Sequence, residues 1–476
     1  MRRPEAEMKG SGPSRPVFSF CRRLASSCSG FLVAWFPHLP GTRTLPKAIG
    51  MGLSLAALAL GCAANRPSLP RHPGAPPALA APAPRPTPHP GSNPVLRIGL
   101  RKASGGVAVT VVPSARAMLV DAATGHRLAV LPSGQPARLV LDVHAGQIQI
   151  ERPGPVIAAP SVRIQVRGGR LAIPTTSGRY PSPLLVYPAA GGLQVVNEVR
   201  LETYLEGVLP GELPPSFAPE AQKALAVAAR TYALRNLDKH TDAGYDLCDG
   251  PHCQVYLGHT TASPRGLRAV RATRGLCVWF RGQLACTFYS ADCGGQTTFA
   301  REVPLPDMPA PPPSYLRPVR DAPRPAGPDY CRRSSHHWWS ARVPVAELEA
   351  RLNEDPGTAV GKLLSARFGD RDVTGRVQRV FLEGEVLAPT GATQRLTRML
   401  SGWEFRRRVG PRQMRSTLAK IERVSPEEFR ITGTGNGHGL GLCQIGADGM
   451  ARPPYYANFR QILRHYYPGV QVGKEG

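Results

Sequence analysis

The chain has 476 residues, enough for two or three domains with buried cores. Its 50 glycines and 51 prolines require part of the chain to be linker or loop. The formal net charge of +26 favours an anionic partner, such as a nucleic acid, a membrane surface or an anionic polymer. Because there is no basic helix with interleaved aromatic residues, no finger spacing and no phosphate loop, we predict no nucleic-acid partner.

Residues 1–62 are predicted to be a leader that ends in a lipoprotein signal. Ala48–Gly61 is an uncharged, mostly apolar run, too short to span a bilayer comfortably and typical of the core of a signal peptide. Leu58–Cys62 resembles a bacterial lipobox, in which the cysteine is lipidated, although Ala59 stands where leucine is usual. We therefore expect an exported envelope lipoprotein anchored through Cys62. The long segment before the signal indicates either a translation start assigned too early or an unusual extension.

The rest of the chain divides by pattern. Residues 63–94 are rich in proline and are predicted to be a disordered spacer. Residues 95–197 alternate apolar and polar positions between turn residues, which is typical of β-strands. Residues 198–470 mix helix and strand patterns and include a Pro-rich loop at 304–328. The predicted fold class is α+β, with a β-rich N-terminal region packed against a mixed α/β region.

The stretch 201–239 holds the first candidate catalytic group. We interpret it as an extended approach, a turn that presents Glu212 before two prolines, and an alanine-rich helix that begins near Pro219. Apolar surroundings raise the pKa of a carboxyl group, and a stiff turn fixes its direction, which suits a general acid. Glu202 and Glu206 are rival acids, but their spacing of four residues suits a solvated face. Arg230, taken alone, is most simply a solvated charge on the helix.

A candidate metal site follows this helix. Two histidines and two cysteines lie within a short segment and supply the ligand types that tetrahedral zinc favours: His240, Cys248, His252 and Cys253. Four protein ligands leave no open position, so such a metal would be structural. The spacing is not that of a standard finger, and a Cys248–Cys253 disulfide or unrelated buried thiols are the alternatives.

Further motifs follow in the second half of the chain. We expect two strands within Arg268–Gly295 and a short amphipathic helix at 345–353. A Cys293–Cys331 disulfide would tie down the Pro-rich loop in an exported protein, but sequence does not settle the connectivity of the cysteines, which also include Cys277, Cys286 and Cys443. Trp338 and Trp339 could line a sugar groove or pack under the loop. Six glycines surround His438, which can therefore be presented without crowding.

These blocks together resemble one family. LETYLEGVLPGELP, EAQKALAVAARTYAL, DLCDGPHCQVYLG, YSADCGG and GNGHGLGLCQIGADGMA are similar to motifs of the SpoIID/LytB family, the stage II sporulation protein D and amidase-enhancer group. The similarity runs from about residue 95 to 469. It departs at Cys443, where serine or a similar small residue is expected. The resemblance implies work on peptidoglycan, either as a lytic transglycosylase of glycan strands without stem peptides or as an enhancer of a cell-wall amidase.

The resemblance also assigns roles to residues. The family's catalytic glutamate falls on Glu212, an arginine implicated in activity falls on Arg230, and the glycine-flanked histidine falls on His438. Zinc-containing members bind their metal at a block similar to the one from His240 to Cys253, which strengthens the structural zinc interpretation. We predict a lytic transglycosylase, with a non-catalytic, glycan-binding amidase enhancer as the alternative. A zinc hydrolase is disfavoured because the sequence has no HExxH motif.

Overall fold

The computed structural model describes residues 93–474, except for 177, 260–262, 306, 325–326 and 389. Within these residues the fold is α+β, which confirms the predicted class. The predicted leader with Cys62 and nearly all of the predicted linker lie outside the described residues. In the part of the chain that the structure describes, no helix has the length and apolar character needed to cross a membrane.

The N-terminal part is rich in β-strands, as the alternating pattern predicts. Its buried and exposed positions alternate along the strands, so one face of each strand enters the core. The strands are β1 (Val95–Gly99), β2 (Ala108–Pro113), β3 (Ala117–Asp121), β4 (Arg127–Leu131), β5 (Ala137–Asp142), β6 (Gln147–Glu151), β7 (Ile157–Ala159), β8 (Val162–Val166), β9 (Leu171–Ile173), β10 (Gly178–Tyr180), β11 (Leu184–Ala189) and β12 (Gly192–Arg200).

Two sheets contain these strands. One has the order β10-β9-β2-β5-β6-β7. The other has the order β13-β1-β12-β11-β8-β3-β4, in which β13 (Leu247–Cys248) comes from the middle of the chain and pairs in parallel with β1. This pairing places Cys248 opposite Gly99, at the edge of the sheet. The segment of the predicted metal ligands is therefore fixed to the N-terminal sheet.

Three helices pack beside the sheets: α1 (Leu201–Glu212), α2 (Pro219–Arg235) and α3 (Pro264–Ala272). The helix predicted near Pro219 is confirmed. It has proline at its first position and Glu220 in its first turn, where a negative charge favours the helix dipole. Nearly every residue from Ala221 to Leu234 is buried, because its alanines let neighbouring helices approach closely.

The prediction of an extended approach and a turn before Glu212 is wrong, because this segment is the helix α1. Its apolar residues recur at helical spacing and all face the core: Leu201, Tyr204, Leu205 and Val208. Gly207 and Gly211 lie against the backbone of residues 255–258, and a Cβ on Gly211 would stand 2.4 Å from the carbonyl oxygen of Val255. Glu212 is the last residue of the helix, followed by an extended Leu213.

Residues 338–434 form a lobe with its own hydrophobic core. The predicted helix at 345–353 is confirmed within it. Its elements are β17 (Trp338–Pro344), α4 (Val345–Asn353), β18 (Lys362–Phe368), β19 (Arg379–Leu387), β20 (Thr393–Ser401), α5 (Gly402–Val409), β21 (Ala419–Ser425) and β22 (Glu428–Thr434). They form the sheets β17-β22-β21 and β18-β19-β20.

The remaining elements complete the main core around α2. They are β14 (Cys277–Phe280), β15 (Gln283–Leu284), β16 (Tyr289–Ser290), β23 (Leu442–Cys443), α6 (Gln444–Ala451), α7 (Phe459–Tyr466) and β24 (Gln471–Gly473). The strands predicted within Arg268–Gly295 are present, but residues 268–272 belong to α3. β16 and β23 pair in parallel, with Tyr289 opposite Leu442 and Ser290 opposite Cys443. This pairing brings the YSADCGG and GLCQIGADGM blocks together.

Candidate functional site

The carboxyl group of Glu212 lies where three segments of the chain meet. Its Oε1 accepts a hydrogen bond from the backbone N–H of Val255 at 2.7 Å, and its Oε2 accepts one from the side chain of Gln444 at 3.3 Å. The Tyr289 hydroxyl also hydrogen-bonds this carboxyl group. Residue 212 as a whole is half-buried. Both oxygens are thus oriented by donors from sequence-distant segments.

Burial raises the pKa of Glu212, and the hydrogen bonds from Val255, Gln444 and Tyr289 offset part of this effect. Among the described residues, no second carboxylate forms a hydrogen bond or an ion pair at Glu212. The rival acids are engaged elsewhere. Glu202 pairs with Arg230, and Glu206 lies 3.7 Å from Nδ1 of His259. Glu212 is therefore a single acid whose protonated form is favoured relative to a solvated glutamate.

Gln254 connects the neighbours of this site. Its Nε2 donates to the hydroxyl of Tyr289 at 3.0 Å, and its Oε1 accepts from the hydroxyl of Tyr204 at 3.2 Å. Because Gln254 precedes Val255, the same segment holds both Tyr289 and Glu212. Sequence reasoning singled out none of Tyr289, Gln254 and Gln444. They stand inside the quoted motif blocks, but no spacing or residue type distinguishes them from packing residues.

Arg230 is fully buried and forms a two-pronged ion pair with Glu202. Its Nε and Nη2 each lie 2.8 Å from an oxygen of Glu202, and it also donates to the carbonyls of Leu276 and Val270. The predictions that Arg230 and Glu202 are solvated are therefore both wrong. Among the described residues, no hydrogen bond or ion pair joins Arg230 to Glu212. A catalytic role for Arg230 stays a prediction, and its contacts favour a role in anchoring α1 to α2.

His438 is also bound to the backbone on both sides of its ring. Its Nε2 donates to the carbonyl of Tyr289 at 2.9 Å, and its Nδ1 accepts from the N–H of Leu440 at 3.0 Å. Burial lowers its pKa to about 4, so the ring is neutral at pH 7. A direct contact between His438 and a substrate stays a prediction. The observed contacts position Tyr289, whose hydroxyl reaches Glu212.

The buried neutral state of His438 predicts a pH-dependent stability. A histidine with a pKa of 6.5 in the unfolded chain and about 4 in the folded chain contributes stability above pH 6.5, which is lost as the pH falls towards 4. We expect the melting temperature to decrease over this range and His438→Gln to flatten the decrease. Thermal unfolding at a series of pH values measures both. His126→Gln, an exposed replacement, is the control, and equal slopes for wild type and His438→Gln would contradict the prediction.

The four residues of the predicted metal site converge, with all ligand atoms within 4.8 Å of one another. Nε2 of His240 lies 3.2 Å from Sγ of Cys253, and Nδ1 of His252 lies 3.6 Å from Cys253 and 3.9 Å from Cys248. Ligands of a tetrahedral zinc ion, at roughly 2.0–2.3 Å from the metal, are separated by roughly 3.3–3.8 Å. The residues therefore fit a zinc ion. Cys253 lies two residues before Val255, whose N–H donates a hydrogen bond to Oε1 of Glu212. The cluster is therefore close in sequence to one of the groups that orient Glu212.

The Cys293–Cys331 disulfide, which the sequence left as one possibility, is not formed, since both cysteines are free and their sulfur atoms are 3.9 Å apart. A disulfide would require about 2.05 Å. Cys248 and Cys253 are free as well. The fold nonetheless brings Cys293 and Cys331 together, because both contribute to one buried cluster.

The two tryptophans behave differently. Trp339 is buried in the core of the 338–434 lobe, whereas Trp338 is 76% exposed. Both line an open cavity of about 320 Å³ together with Arg371 and Lys420. An exposed indole beside basic side chains is a surface on which a sugar ring can stack. Trp339 therefore packs in the core as well as lining the cavity, whereas Trp338 presents its indole to solvent. A further cavity of about 200 Å³ is lined by Leu213 and Pro214 but not by Glu212.

Comparisons with known proteins identify relatives of this chain. The sequence profile of the family described as "SpoIID: Stage II sporulation protein" matches residues 189–280, which include Glu212, Arg230 and the four predicted zinc ligands. An uncharacterised protein of Brachyspira hyodysenteriae is 30% identical over 306 residues, covering 62% of this chain and 72% of that protein.

Two relatives in Bacillus subtilis carry descriptive names. The amidase enhancer is 29% identical over 298 residues, covering 56% of this chain and 40% of the enhancer. Stage II sporulation protein D is 25% identical over 312 residues, covering 62% of this chain and 80% of that protein. The chain is thus an α+β protein with a lone, oriented acid beside a Cys/His cluster. It belongs to the SpoIID/LytB family.

Proposed function

We propose that the protein is a peptidoglycan lytic transglycosylase that cleaves denuded glycan strands between MurNAc and GlcNAc and leaves 1,6-anhydroMurNAc ends. The observation that carries this proposal is Glu212, a lone carboxyl group with a raised pKa and two oriented oxygens. Ordinary retaining and inverting glycosidases require two carboxyl groups that flank the bond. Family membership and a relative named as an amidase enhancer support a role in the cell wall.

The proposed reaction needs only one acid. Protonated Glu212 gives its proton to the glycosidic oxygen while the bond from that oxygen to C1 of MurNAc breaks. The 6-hydroxyl oxygen of the same sugar attacks C1, and its proton passes to the Glu212 carboxylate. Glu212 is thereby protonated again, and no water is consumed. The intramolecular attack takes the place of a second carboxylate, because proximity supplies the nucleophile.

The neighbours of Glu212 have distinct tasks in this proposal. Val255 and Gln444 hold the two oxygens in one orientation, and Tyr289 donates to the carboxylate when the proton has left. His438 positions Tyr289 by donating a hydrogen bond to the carbonyl oxygen of Tyr289. Arg230 anchors α1 by its ion pair with Glu202. Only Glu212 exchanges protons with the substrate.

The second candidate is a non-catalytic module that binds glycan strands and enhances a cell-wall amidase. The relative named as an amidase enhancer favours it, together with the exposed Trp338 beside Arg371 and Lys420. In either case we propose an envelope protein whose positive charge suits an anionic wall, anchored through a lipid on Cys62.

Product analysis distinguishes the two candidates. The purified full chain is incubated with denuded glycan strands and with intact peptidoglycan, and the products are examined by mass spectrometry. The enzyme is expected to give anhydro ends, one water lighter than hydrolysed ends, from denuded strands. Absence of such products, together with stimulation of a cell-wall amidase, would contradict the transglycosylase and favour the enhancer.

We further propose a structural zinc ion held by His240, Cys248, His252 and Cys253. When bound, the metal supplies a rigid crosslink and not a reacting group, since four protein ligands complete a tetrahedron. The crosslink fixes the segment that carries Gln254 and Val255. Val255 in turn orients Glu212, and Gln254 orients the hydroxyl of Tyr289, each by a hydrogen bond.

Loss of this zinc is expected to destabilise the protein. A double variant, His240→Ala with Cys248→Ser, should lose one zinc equivalent per chain and melt at a clearly lower temperature, because metal binding is coupled to folding. Elemental analysis and thermal unfolding measure the two effects. Cys277→Ser is the matched control, because Cys277 is a buried cysteine in β14, outside this cluster. An unchanged zinc content in the double variant would refute this site.

A further inference from the structure

A second cluster of soft ligands lies in the main core, outside the segment considered so far. Asp292, Cys293, Cys331 and Cys443 are all buried, and their ligand atoms lie within 4.8 Å of one another. They come from three distant segments. Asp292 and Cys293 follow β16, Cys331 lies in the short 3-10 turn Tyr330–Arg333, and Cys443 ends β23. The parallel pairing of β16 with β23 brings two of these segments together.

The spacing of the sulfur atoms fits a metal better than a disulfide. Sγ of Cys293 and Sγ of Cys331 are 3.9 Å apart. Two thiolates at roughly 2.3 Å from a tetrahedral zinc ion are separated by roughly 3.8 Å. A disulfide bond would bring the atoms to about 2.05 Å, and would leave Cys443 as an unpaired buried thiol. The observed separation is that of two corners of a tetrahedron.

Two independent features of the polar atoms point to a ligand. Sγ of Cys443 accepts hydrogen bonds from the backbone N–H groups of Cys293 and Gly446, each at 3.3 Å, and such donors favour a thiolate. Asp292 is 1% exposed, and its Oδ2 makes no hydrogen bond to any described residue. Buried carboxylate oxygens are normally satisfied by hydrogen bonds, whereas the charged neighbour of this oxygen, Nδ1 of His337, stands at 3.6 Å, beyond hydrogen-bond distance.

The surroundings supply positive charge and support. Nδ1 of His337 lies 3.6 Å from both Sγ of Cys331 and Oδ2 of Asp292. The buried Arg376 donates through Nη2 to the carbonyl of Cys293 at 2.9 Å and to that of Gln296 at 3.0 Å. Three thiolates and a carboxylate around a divalent cation make an anionic centre, and His337 and Arg376 offset part of its charge. Groups of this kind orient the ligands of metal sites.

We propose that Asp292, Cys293, Cys331 and Cys443 bind a second structural zinc ion. Each thiol gives up its proton when it binds the metal, and no electron is transferred. Gln444, which holds Oε2 of Glu212, directly follows Cys443. In the His240–Cys253 cluster, Cys253 likewise lies two residues before Val255, whose N–H donates to Oε1 of Glu212. The two zinc ions thus fix the two sides of the acid. Metal binding at this cluster does not depend on glycan cleavage.

The test is the zinc content of the full chain, purified without chelators. We expect two zinc equivalents per wild-type chain and the loss of one in Cys443→Ser. Serine keeps an oxygen at the position that accepts from Gly446, so α6 retains its N-terminal cap while the soft ligand is removed. The double variant His240→Ala, Cys248→Ser should also keep one equivalent, and Cys277→Ser should keep both.

Two measurements on the wild type test the second site even if the variants misfold. X-ray absorption at the zinc edge should report more sulfur per zinc than a two-Cys, two-His site provides. Peptide mapping without reductant should find no Cys293–Cys331 crosslink. An unchanged zinc content in a folded Cys443→Ser, a two-sulfur average in the wild type, or a disulfide-linked peptide would each overturn the second site.

Discussion

Glu212→Gln is expected to reduce the release of anhydro products from denuded glycan by at least about 100-fold, the scale on which a general acid contributes. The side chain is nearly isosteric, its oxygen can still accept from Val255, and the amide of Gln444 can turn to present its own oxygen. The variant should therefore keep the fold and lose the proton. Mass spectrometry of products measures this effect directly.

The same substitution makes a prediction about stability with a definite sign. Burial raises the pKa of Glu212 in the folded state. Ionisation of Glu212 therefore destabilises the folded protein, and stability is lost as the pH rises through the folded-state pKa. Glu212→Gln should melt at an equal or higher temperature than the wild type at pH 7–8, and should gain nothing near pH 4. Glu206→Gln, on the same helix, is the control and should retain activity. Wild-type product levels from Glu212→Gln would rule out the transglycosylase, and retained amidase stimulation would favour the enhancer.

Arg230→Met is expected to destabilise the protein by about 3–5 kcal/mol, the scale for breaking one partner of a buried ion pair. Arg230 is fully buried, and Glu202 would be left with a charge and no cation in an enclosed site. The carbonyls of Leu276 and Val270 would lose donors as well. Unfolding by denaturant, followed by circular dichroism, gives the free energy difference.

A second variant separates anchoring from catalysis. Adding Glu202→Gln to Arg230→Met removes the stranded charge, so the double variant should be more stable than Arg230→Met alone. If anchoring is the only role, product formation should recover along with stability. Arg268→Met, at an exposed position of α3, is the matched control and should change the unfolding free energy by less than about 0.5 kcal/mol. Wild-type stability of Arg230→Met would contradict the anchoring role.

Patterns of short range were readable from the sequence. The alternating strands of 95–197, the helix from Pro219 and the helix at 345–353 follow from periodicity and from proline at a helix start. The convergence of His240, Cys248, His252 and Cys253 was also predictable, because the ligands lie close in sequence. In each case the signal lies within one segment.

Features that depend on distant segments were not readable. The glycines and prolines around Glu212 favoured a turn, whereas the apolar spacing from Leu201 to Val208 and packing against residues 255–258 produce a helix. The burial of Arg230 depends on Glu202 from a neighbouring helix. Tyr289 and Gln444 reach Glu212 only because β16 pairs with β23, about 150 residues further along the chain, and no local pattern encodes that pairing.

The 338–434 lobe leaves the main body and returns to it at the same place, because Trp338 pairs with Thr434 across β17 and β22. Its core is separate, and its two ends are neighbours. A segment attached in this way can be lengthened, shortened or exchanged without displacing the strands on either side of it. The lobe can therefore diversify as a module and change the surface around Trp338, while the acid at Glu212 stays in its place.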